Sequence, residues 1–175
     1  MKTFLRKIKL SEDVEMELET EQLVFLRGWE ELVDFGNPTP LSNVFEAFSS
    51  SKNDFVGQID ADSFTLRRRR RLFESNMNVA VAKGNYIQNG GFLQINMEIN
   101  ALSPIFIPLF ALITVVYFVA GFFVVASNPE SALFILPFLA LHASLMLGIP
   151  YLFLRRSVKR MKRDLEREFY FMTKQ

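Results

Sequence analysis

The sequence predicts an α+β membrane protein: a small cytoplasmic antiparallel β-sheet domain with one or two short helices, then a two-helix transmembrane hairpin and a basic amphipathic C-terminal helix. Two observations lead to this prediction. Hydrophobic residues make up 50% of the 175-residue chain, and within residues 105–154 only Glu130 carries a formal charge. Residues 55–101 are instead rich in β-branched and aromatic side chains that alternate with polar ones, which is typical of strands.

Two uncharged segments, residues 105–126 and 132–154, predict the transmembrane helices. At about 1.5 Å of rise per residue, either segment can cross a hydrocarbon core of about 30 Å. The connection between them contains Asn128 and Pro129, which favour a turn, and no basic residue. Because this connection is short, we expect the two helices to run antiparallel as a hairpin.

Basic residues predict the topology. Residues 155–175 contain eight Lys or Arg, six of them before Asp164, whereas the hairpin connection contains none. Because basic residues are enriched in cytoplasmic flanks, both termini are expected in the cytoplasm, and no signal peptide is expected. The chain then divides into a cytoplasmic α+β domain (1–102), the hairpin (103–154) and a cytoplasmic basic helix (155–175).

The N-terminal domain is expected to contain a four-strand antiparallel meander. Its predicted strands are residues 55–59, 63–73, 78–87 and 92–101. A turn at residues 89–91 precedes the last strand, whose apolar side chains at odd positions from 93 to 99 should share the buried face. Upstream, residues 4–10 are predicted as a strand, Ser11 as the cap of a helix, and residues 41–48 as a short helix.

A spaced set of residues in this region carries a resemblance. The set comprises Phe55, Gly57, Ile59, Phe64, Leu66, Arg67, Asn76, Val81 and Gly84, followed by a strand that leads directly into a membrane helix. From residue 55 to about residue 125, the chain resembles a group of uncharacterised bacterial two-transmembrane proteins with a small cytoplasmic β-rich domain. It departs from that pattern at Ala80, Glu98 and Asn100, where a proline, a basic residue and a histidine are expected. The resemblance implies this architecture and a bacterial inner (cytoplasmic) membrane, and it assigns no catalytic residue.

Five consecutive arginines occur in a predicted strand: Arg67, Arg68, Arg69, Arg70 and Arg71. Alternation along the strand would place charge on both faces, which predicts a sheet edge or a protruding ribbon. Such a ribbon can contact anionic lipid headgroups or a protein partner. Alternatively, the arginines pair with acidic residues of the N-terminal half. Nucleic acid is not an expected partner, because residues 1–103 contain 15 Asp or Glu against 12 Lys or Arg.

Polar and small residues in the hairpin predict helix contacts. His142 lies near the middle of the second span, and Thr114 and Tyr117 of the first span are candidate hydrogen-bond partners. Both a neutral packing histidine and a proton-linked role fit this position. Small residues recur every four positions along one face of the second span. Small side chains on a shared face allow close approach by the first span or by a second copy of the chain. These small residues are Ala140, Ser144 and Gly148.

The C-terminal helix is predicted to be amphipathic. Its apolar stripe, Val158, Met161, Leu165, Phe169 and Met172, can lie on the membrane, pack on the β domain or pair with a second copy. Its basic residues also suit the topology signal, and four of them are candidates for contact with anionic lipid or a partner. These four are Arg155, Arg156, Lys159 and Arg160.

Catalytic chemistry finds little support in the sequence. The chain has no Cys, one His and none of the common nucleotide-, phosphate- or zinc-binding motifs, so no catalytic residue, metal or cofactor is predicted. Trp29 is predicted as a core or membrane-interface anchor. The expected function is a non-enzymatic, inner-membrane-anchored module that binds a protein partner or anionic lipid. The alternative is an oligomeric channel, effector or transport accessory subunit, with His142 and the small-residue face at the assembly interface.

Overall fold

The computed structural model describes residues 2–38, 51–69, 79–103, 106–127 and 129–172. The chain forms two compact units. Met1–Leu102 and Leu154–Gln175 together form the first unit, and Ser103–Phe153 forms the second. The C-terminal segment, which the sequence prediction treats as a region of its own, therefore belongs to the same unit as the N-terminal domain.

The described residues form four helices and six strands. In chain order they are α1 (Lys2–Lys7), β1 (Ser11–Leu18), α2 (Gln22–Leu32), β2 (Val33–Phe35), β3 (Phe55–Ile59), β4 (Ser63–Arg68), β5 (Val81–Asn89), β6 (Phe92–Asn100), α3 (Phe106–Ser127) and α4 (Pro129–Met172). This arrangement confirms the predicted α+β class, with a sheet in the N-terminal part followed by two long apolar helices.

The six strands form one sheet in the order β1-β6-β5-β4-β3-β2. Strands β3 to β6 are the antiparallel meander that the sequence predicts. Gly90, in the turn between β5 and β6, has a φ of 62°, a left-handed conformation that glycine adopts without steric cost. The prediction missed both outer strands: β1 pairs antiparallel with β6, and β2 pairs parallel with β3.

The sheet has a buried face and a more polar face. Leu93, Ile95, Met97 and Ile99 of β6 are all buried on one side, which we call the inner face and which matches the predicted alternation. The intervening polar side chains of β6 lie on the opposite side, the outer face, and are only partly covered. On the inner face, a Cβ added at Gly84 would lie 2.7 Å from the ring of Phe64. Glycine at this position therefore leaves room for that ring.

Two helical segments bury the aromatic core of the first unit. Phe25 and Trp29 of α2 and Phe169 of α4 are at most 1% exposed. The Trp29 ring stacks on Phe169 with centroids 5.3 Å apart, and its centroid lies 5.0 Å from that of Phe64 in β4. The whole apolar stripe of α4 is buried. Of the three predicted placements, on the membrane, on the β domain or against a second copy, the structure shows packing on the β domain. Trp29 is a core residue.

The N-terminal segment differs from its prediction. Residues 4–10, predicted as a strand, include the end of helix α1, and Ser11, predicted as a helix cap, begins strand β1. Val14 and Leu18 of β1 are buried and are paired with residues of β6, so long-range strand pairing overrides the local helix signal. The short helix predicted at residues 41–48 lies outside the described residues.

The second unit contains α3 and the first part of α4. Both helices are long and apolar enough to cross a membrane. Large side chains of both are uncovered by protein, with Phe118 79% exposed and Phe134 80% exposed. Helix α3 begins and ends one residue later than predicted, whereas α4 continues as a single helix to Met172, through Pro137 and Pro150.

Candidate functional site

The first two residues of the arginine run, Arg67 and Arg68, lie inside the sheet. Strand β4, which ends at Arg68, pairs with both β3 and β5, so the prediction of an edge strand or protruding ribbon is wrong for Arg67 and Arg68. Arg67 and Arg69 are 2% and 6% exposed. Arg70 and Arg71 lie outside the described residues. Contact of this run with lipid stays a prediction, and the burial of Arg67 and Arg69 does not favour it.

The described arginines have partners within the first unit. Arg67 donates from Nε to the Asn37 carbonyl, Arg68 forms an ion pair with Asp164 of α4, and Arg69 forms an ion pair with Asp34 of β2. The Arg69–Asp34 pair agrees with the alternative prediction, since Asp34 lies in the N-terminal half. The Arg68 pair instead uses an acidic residue of the C-terminal helix, and Arg67 contacts a backbone carbonyl. The Arg68 pair also joins the sheet to the C-terminal part of α4.

The carboxylate of Asp34 is held by several hydrogen bonds. The amide of Asn53 donates to it at 2.7 Å, in addition to Arg69. A hydrogen bond from Ser51, the bond from Asn53 and the charge of Arg69 lower the pKa of Asp34, although partial burial opposes the shift. The cluster therefore keeps Asp34 ionised and connects β2 to the residues that flank β3 and β4.

Further polar contacts connect α4 to the sheet. The hydroxyl of Ser157, which is buried, accepts hydrogen bonds from the backbone amides of Val79 and Ala80 at 3.1 and 3.0 Å. Lys162 forms an ion pair with Glu12 of β1 at 2.6 Å, and this hydrogen bond raises the pKa of Lys162. Neither Ser157 nor Lys162 was predicted as a contact residue, although Ser157 directly precedes the apolar stripe in the sequence.

The basic residues that follow the second apolar segment divide by exposure. From residue 155 to residue 163, Arg155, Arg160 and Lys162 are half-buried, whereas Arg156, Lys159 and Arg163 are exposed. The exposed residues are spaced three and four apart, so they share one side of α4, opposite its buried stripe. We call these three the basic face. None of them forms an ion pair with a described residue. Arg163 was not among the predicted contacts, although its helical spacing was visible in the sequence.

A polar pair joins the two helices of the second unit. The hydroxyl of Tyr117 in α3 hydrogen-bonds to Nδ1 of His142 in α4, and the ring centroids lie 5.7 Å apart. Thr114, the other candidate partner, donates from its hydroxyl to the Phe110 carbonyl at 2.8 Å within its own helix. The structure thus joins His142 to one of its two predicted partners.

The small-residue face of α4 is not covered by α3. Ala140 and Ser144 are exposed, and a Cβ added at Gly148 would meet no described atom within 4 Å. Instead, α3 approaches α4 at Gly121, where an added Cβ would lie 3.8 Å from side-chain atoms of Leu136 and Leu139. This face therefore remains open to lipid or to a second copy of the chain.

Among the described residues, acidic side chains at the β1 edge have basic partners only near the start of the strand. Glu98 of β6 accepts hydrogen bonds from Lys2 at 2.7 Å and from Ser11 at 3.1 Å. The bond from Lys2 is the largest of the effects that lower the pKa of Glu98. Arg6 of α1 pairs with Asp13 at 2.5 Å. Helix α1 thereby neutralises Asp13 at the start of β1 and Glu98 on the neighbouring strand.

Together, the fold and these contacts define an α+β protein with an aromatic sheet domain and two helices suited to a membrane. No group of three or more potential metal ligands occurs among the described residues. Comparison with protein-family models, with curated proteins and with solved structures finds no match to this chain.

Proposed function

We propose that this protein is a non-enzymatic module anchored in the bacterial inner membrane, which presents its sheet domain at the cytoplasmic leaflet and binds anionic lipid through the basic face of α4. One observation carries the proposal. Helix α4 is continuous from Pro129 to Met172, and an exposed basic face on one side and a buried stripe on the other follow its apolar segment directly.

Membrane anchoring is supported by the exposure of the apolar helices. Large hydrophobic side chains along both helices of the hairpin have no protein cover, as Phe118 and Phe134 illustrate. In water, contiguous apolar surface of this extent is unfavourable, at roughly 25 cal/mol per Å². A hydrocarbon environment removes that cost.

Placement of both termini on one side of the membrane has two independent supports. The basic residues after the second span predict a cytoplasmic C-terminus. The chain segments on either side of the hairpin, Met1–Leu102 and Leu154–Gln175, share one compact unit, which requires an even number of crossings between them. Two spans satisfy this requirement.

Anionic lipid is the ligand that the basic face suits. Each basic residue near an anionic leaflet contributes about 1 kcal/mol, and the attraction decays within a Debye length of about 8 Å at physiological salt. Arg156, Lys159 and Arg163 lie within ten residues of Leu154, the last residue of the second uncharged segment, and have no acidic partner among the described residues. Their charge is therefore available to phosphate groups.

Replacement of the basic face by Arg156→Gln, Lys159→Gln and Arg163→Gln is expected to weaken binding of phosphatidylglycerol at least about tenfold, because about 1 kcal/mol is lost per residue. The measurement uses the full-length protein in nanodiscs that mix phosphatidylcholine and phosphatidylglycerol. Native mass spectrometry then counts the phosphatidylglycerol molecules that stay bound as their fraction in the disc is raised.

The matched control removes three exposed charges elsewhere on the same unit, by Lys7→Gln, Lys9→Gln and Arg27→Gln. This control is expected to retain nearly full phosphatidylglycerol binding. An equal loss in both triple variants would show that only net charge matters, and would contradict a lipid site on α4.

A second candidate function, an oligomeric membrane effector, channel or transport accessory subunit, is favoured by the features of the hairpin. The Tyr117–His142 pair places polar groups within the apolar segments, and the small-residue face of α4 is open. His142 is two residues from Ser144, or about 200° around the helix, so the two features lie on different sides of α4. A ring in which each copy contacts two neighbours can use both sides.

The oligomeric mass in nanodiscs, corrected for bound lipid, separates the two candidates. A closed ring of four or more copies, dispersed by Gly148→Leu but not by Ile149→Leu, would support the second candidate and lead to flux assays on His142→Ala. A monomer would contradict it, because two helices cannot enclose a path through the membrane.

A further inference from the structure

Strand β1 forms an edge of the sheet whose outer side has no described strand partner. All of Ser11–Leu18 pairs with β6. The amide of Ala101 donates to the Leu10 carbonyl at 3.0 Å, in the same register. Because backbone direction alternates along an antiparallel pair, the even-numbered residues of β1 point their N–H and C=O groups toward β6. The odd-numbered residues, Ser11, Asp13, Glu15 and Glu17, therefore point theirs away from the sheet.

The residues with outward backbone groups also carry negative charge. The side chains of Asp13, Glu15 and Glu17 are exposed on the outer face. Arg6 compensates Asp13, whereas Glu15 and Glu17 have no ion pair with a described residue. Hydrogen-bonding groups and uncompensated carboxylates thus repeat together every second residue, or about every 6.8 Å along the strand.

We propose that β1 binds an extended basic segment of a partner protein as an additional strand of the sheet. The segment would carry Lys or Arg at alternate positions, because cross-strand neighbours lie about 5 Å apart at Cβ and opposite charges stabilise such pairs. A second copy of β1 does not suit this edge, since it would place carboxylates against carboxylates. The proposal names the partner class for the anchored module and does not depend on lipid binding.

The inner side of the edge specifies the remaining positions of the segment. Met16 is half-buried and Val14 is buried, so an added strand would place every second side chain beside this apolar rim. Apolar or β-branched residues fit there. The preferred ligand is therefore a strand in which basic and apolar residues alternate.

The test uses the full-length protein in nanodiscs of phosphatidylcholine alone, because a basic peptide would bind anionic lipid directly. The probe is a fluorescent eight-residue peptide of alternating Lys and Val, and its matched control has four Lys followed by four Val. We expect fluorescence anisotropy to show that the alternating peptide binds at least about tenfold more tightly than the control peptide. Only the alternating peptide can place a Lys beside each carboxylate of β1 while its backbone hydrogen-bonds to the strand. Hydrogen exchange should show protection of the amides of Asp13, Glu15 and Glu17.

Two variants separate backbone pairing from charge. Glu15→Gln removes the charge and keeps the outward N–H, whereas Glu15→Pro removes both. We expect Glu15→Pro to bind the peptide about fivefold more weakly than Glu15→Gln, since it also loses a hydrogen bond. If Glu15→Pro does not fold, the wild-type protein is tested with an alternating peptide that is N-methylated along its pairing edge.

The proposal is overturned if the alternating peptide does not bind, if both peptides bind equally, or if loss of the hydrogen-bonding groups has no effect beyond loss of charge. Because phosphatidylcholine discs contain no anionic lipid, these outcomes leave the lipid proposal unaffected. Conversely, loss of phosphatidylglycerol binding in the basic-face variant makes no prediction for this peptide.

Discussion

A chain that ends at Phe153 is expected to lose the folded sheet domain, even though every described strand precedes that residue. The truncation removes the apolar stripe of α4, five side chains that are at most 7% exposed. Burial of one such side chain contributes about 1.5–3 kcal/mol, whereas a whole domain is stable by only about 5–15 kcal/mol. Thermal unfolding followed by far-ultraviolet circular dichroism should show no cooperative transition for the sheet.

A second chain tests whether the C-terminal part of α4 is sufficient, together with residues 1–102, to fold the first unit. Residues 1–102 joined through a flexible Gly/Ser linker to residues 154–175 contain the whole first unit without the apolar hairpin. We expect this chain to be soluble and to unfold cooperatively in urea. Cooperative unfolding of residues 1–102 alone would contradict the role assigned to α4.

Phe169→Ala is expected to destabilise the first unit by about 3–5 kcal/mol, measured by urea unfolding of the linked soluble chain. Phe169 is 1% exposed and its ring contacts those of Phe25, Trp29 and Phe64, with centroids 5.3 to 6.5 Å apart. Removal of the ring leaves a cavity at the junction of both helical segments and the sheet. The surrounding rings belong to two elements, α2 and β4, and can close that cavity only in part.

The matched control is Tyr170→Ala, at the next position on the same helix. Tyr170 is 54% exposed, so its loss should change the free energy of unfolding by no more than about 0.5 kcal/mol. Similar effects of the two substitutions would indicate that helix propensity, which both share, dominates over core packing. The aromatic cluster would then not be the centre of this fold.

Long-range pairing explains where the sequence prediction was wrong. The segment around Ser11 has a local signal for a helix N-terminus, but Val14 and Leu18 gain more by burial against β6. In the arginine run, strand alternation correctly predicts that Arg68 points to the opposite face of the sheet from Arg67 and Arg69. Arg68 is on the face that meets α4. Alternation does not reveal that β3 and β5 flank this strand and bury it.

The candidate contacts show the same division. The pairing of Tyr117 with His142 could be anticipated, because short hairpins place residues at similar depths opposite each other. The basic face could be found only in part, since Arg156 and Lys159 are exposed whereas Arg155 and Arg160 are half-buried. Which of these basic residues are exposed depends on how α4 is rotated against the sheet.

By itself, the sequence determined the features that depend on residues close together in the chain. These are the two apolar helices, the meander from β3 to β6 and the buried face of β6, because each follows from a periodicity of composition over a few turns or residues. Only the tertiary structure decided the partners of the arginines, the two outer strands and the place of the α4 stripe. Those depend on contacts between segments that are distant in the chain, from the pairing of Val33 with Phe55 to that of Glu12 with Lys162, which are 150 residues apart. For such contacts, local patterns leave several partners equally open.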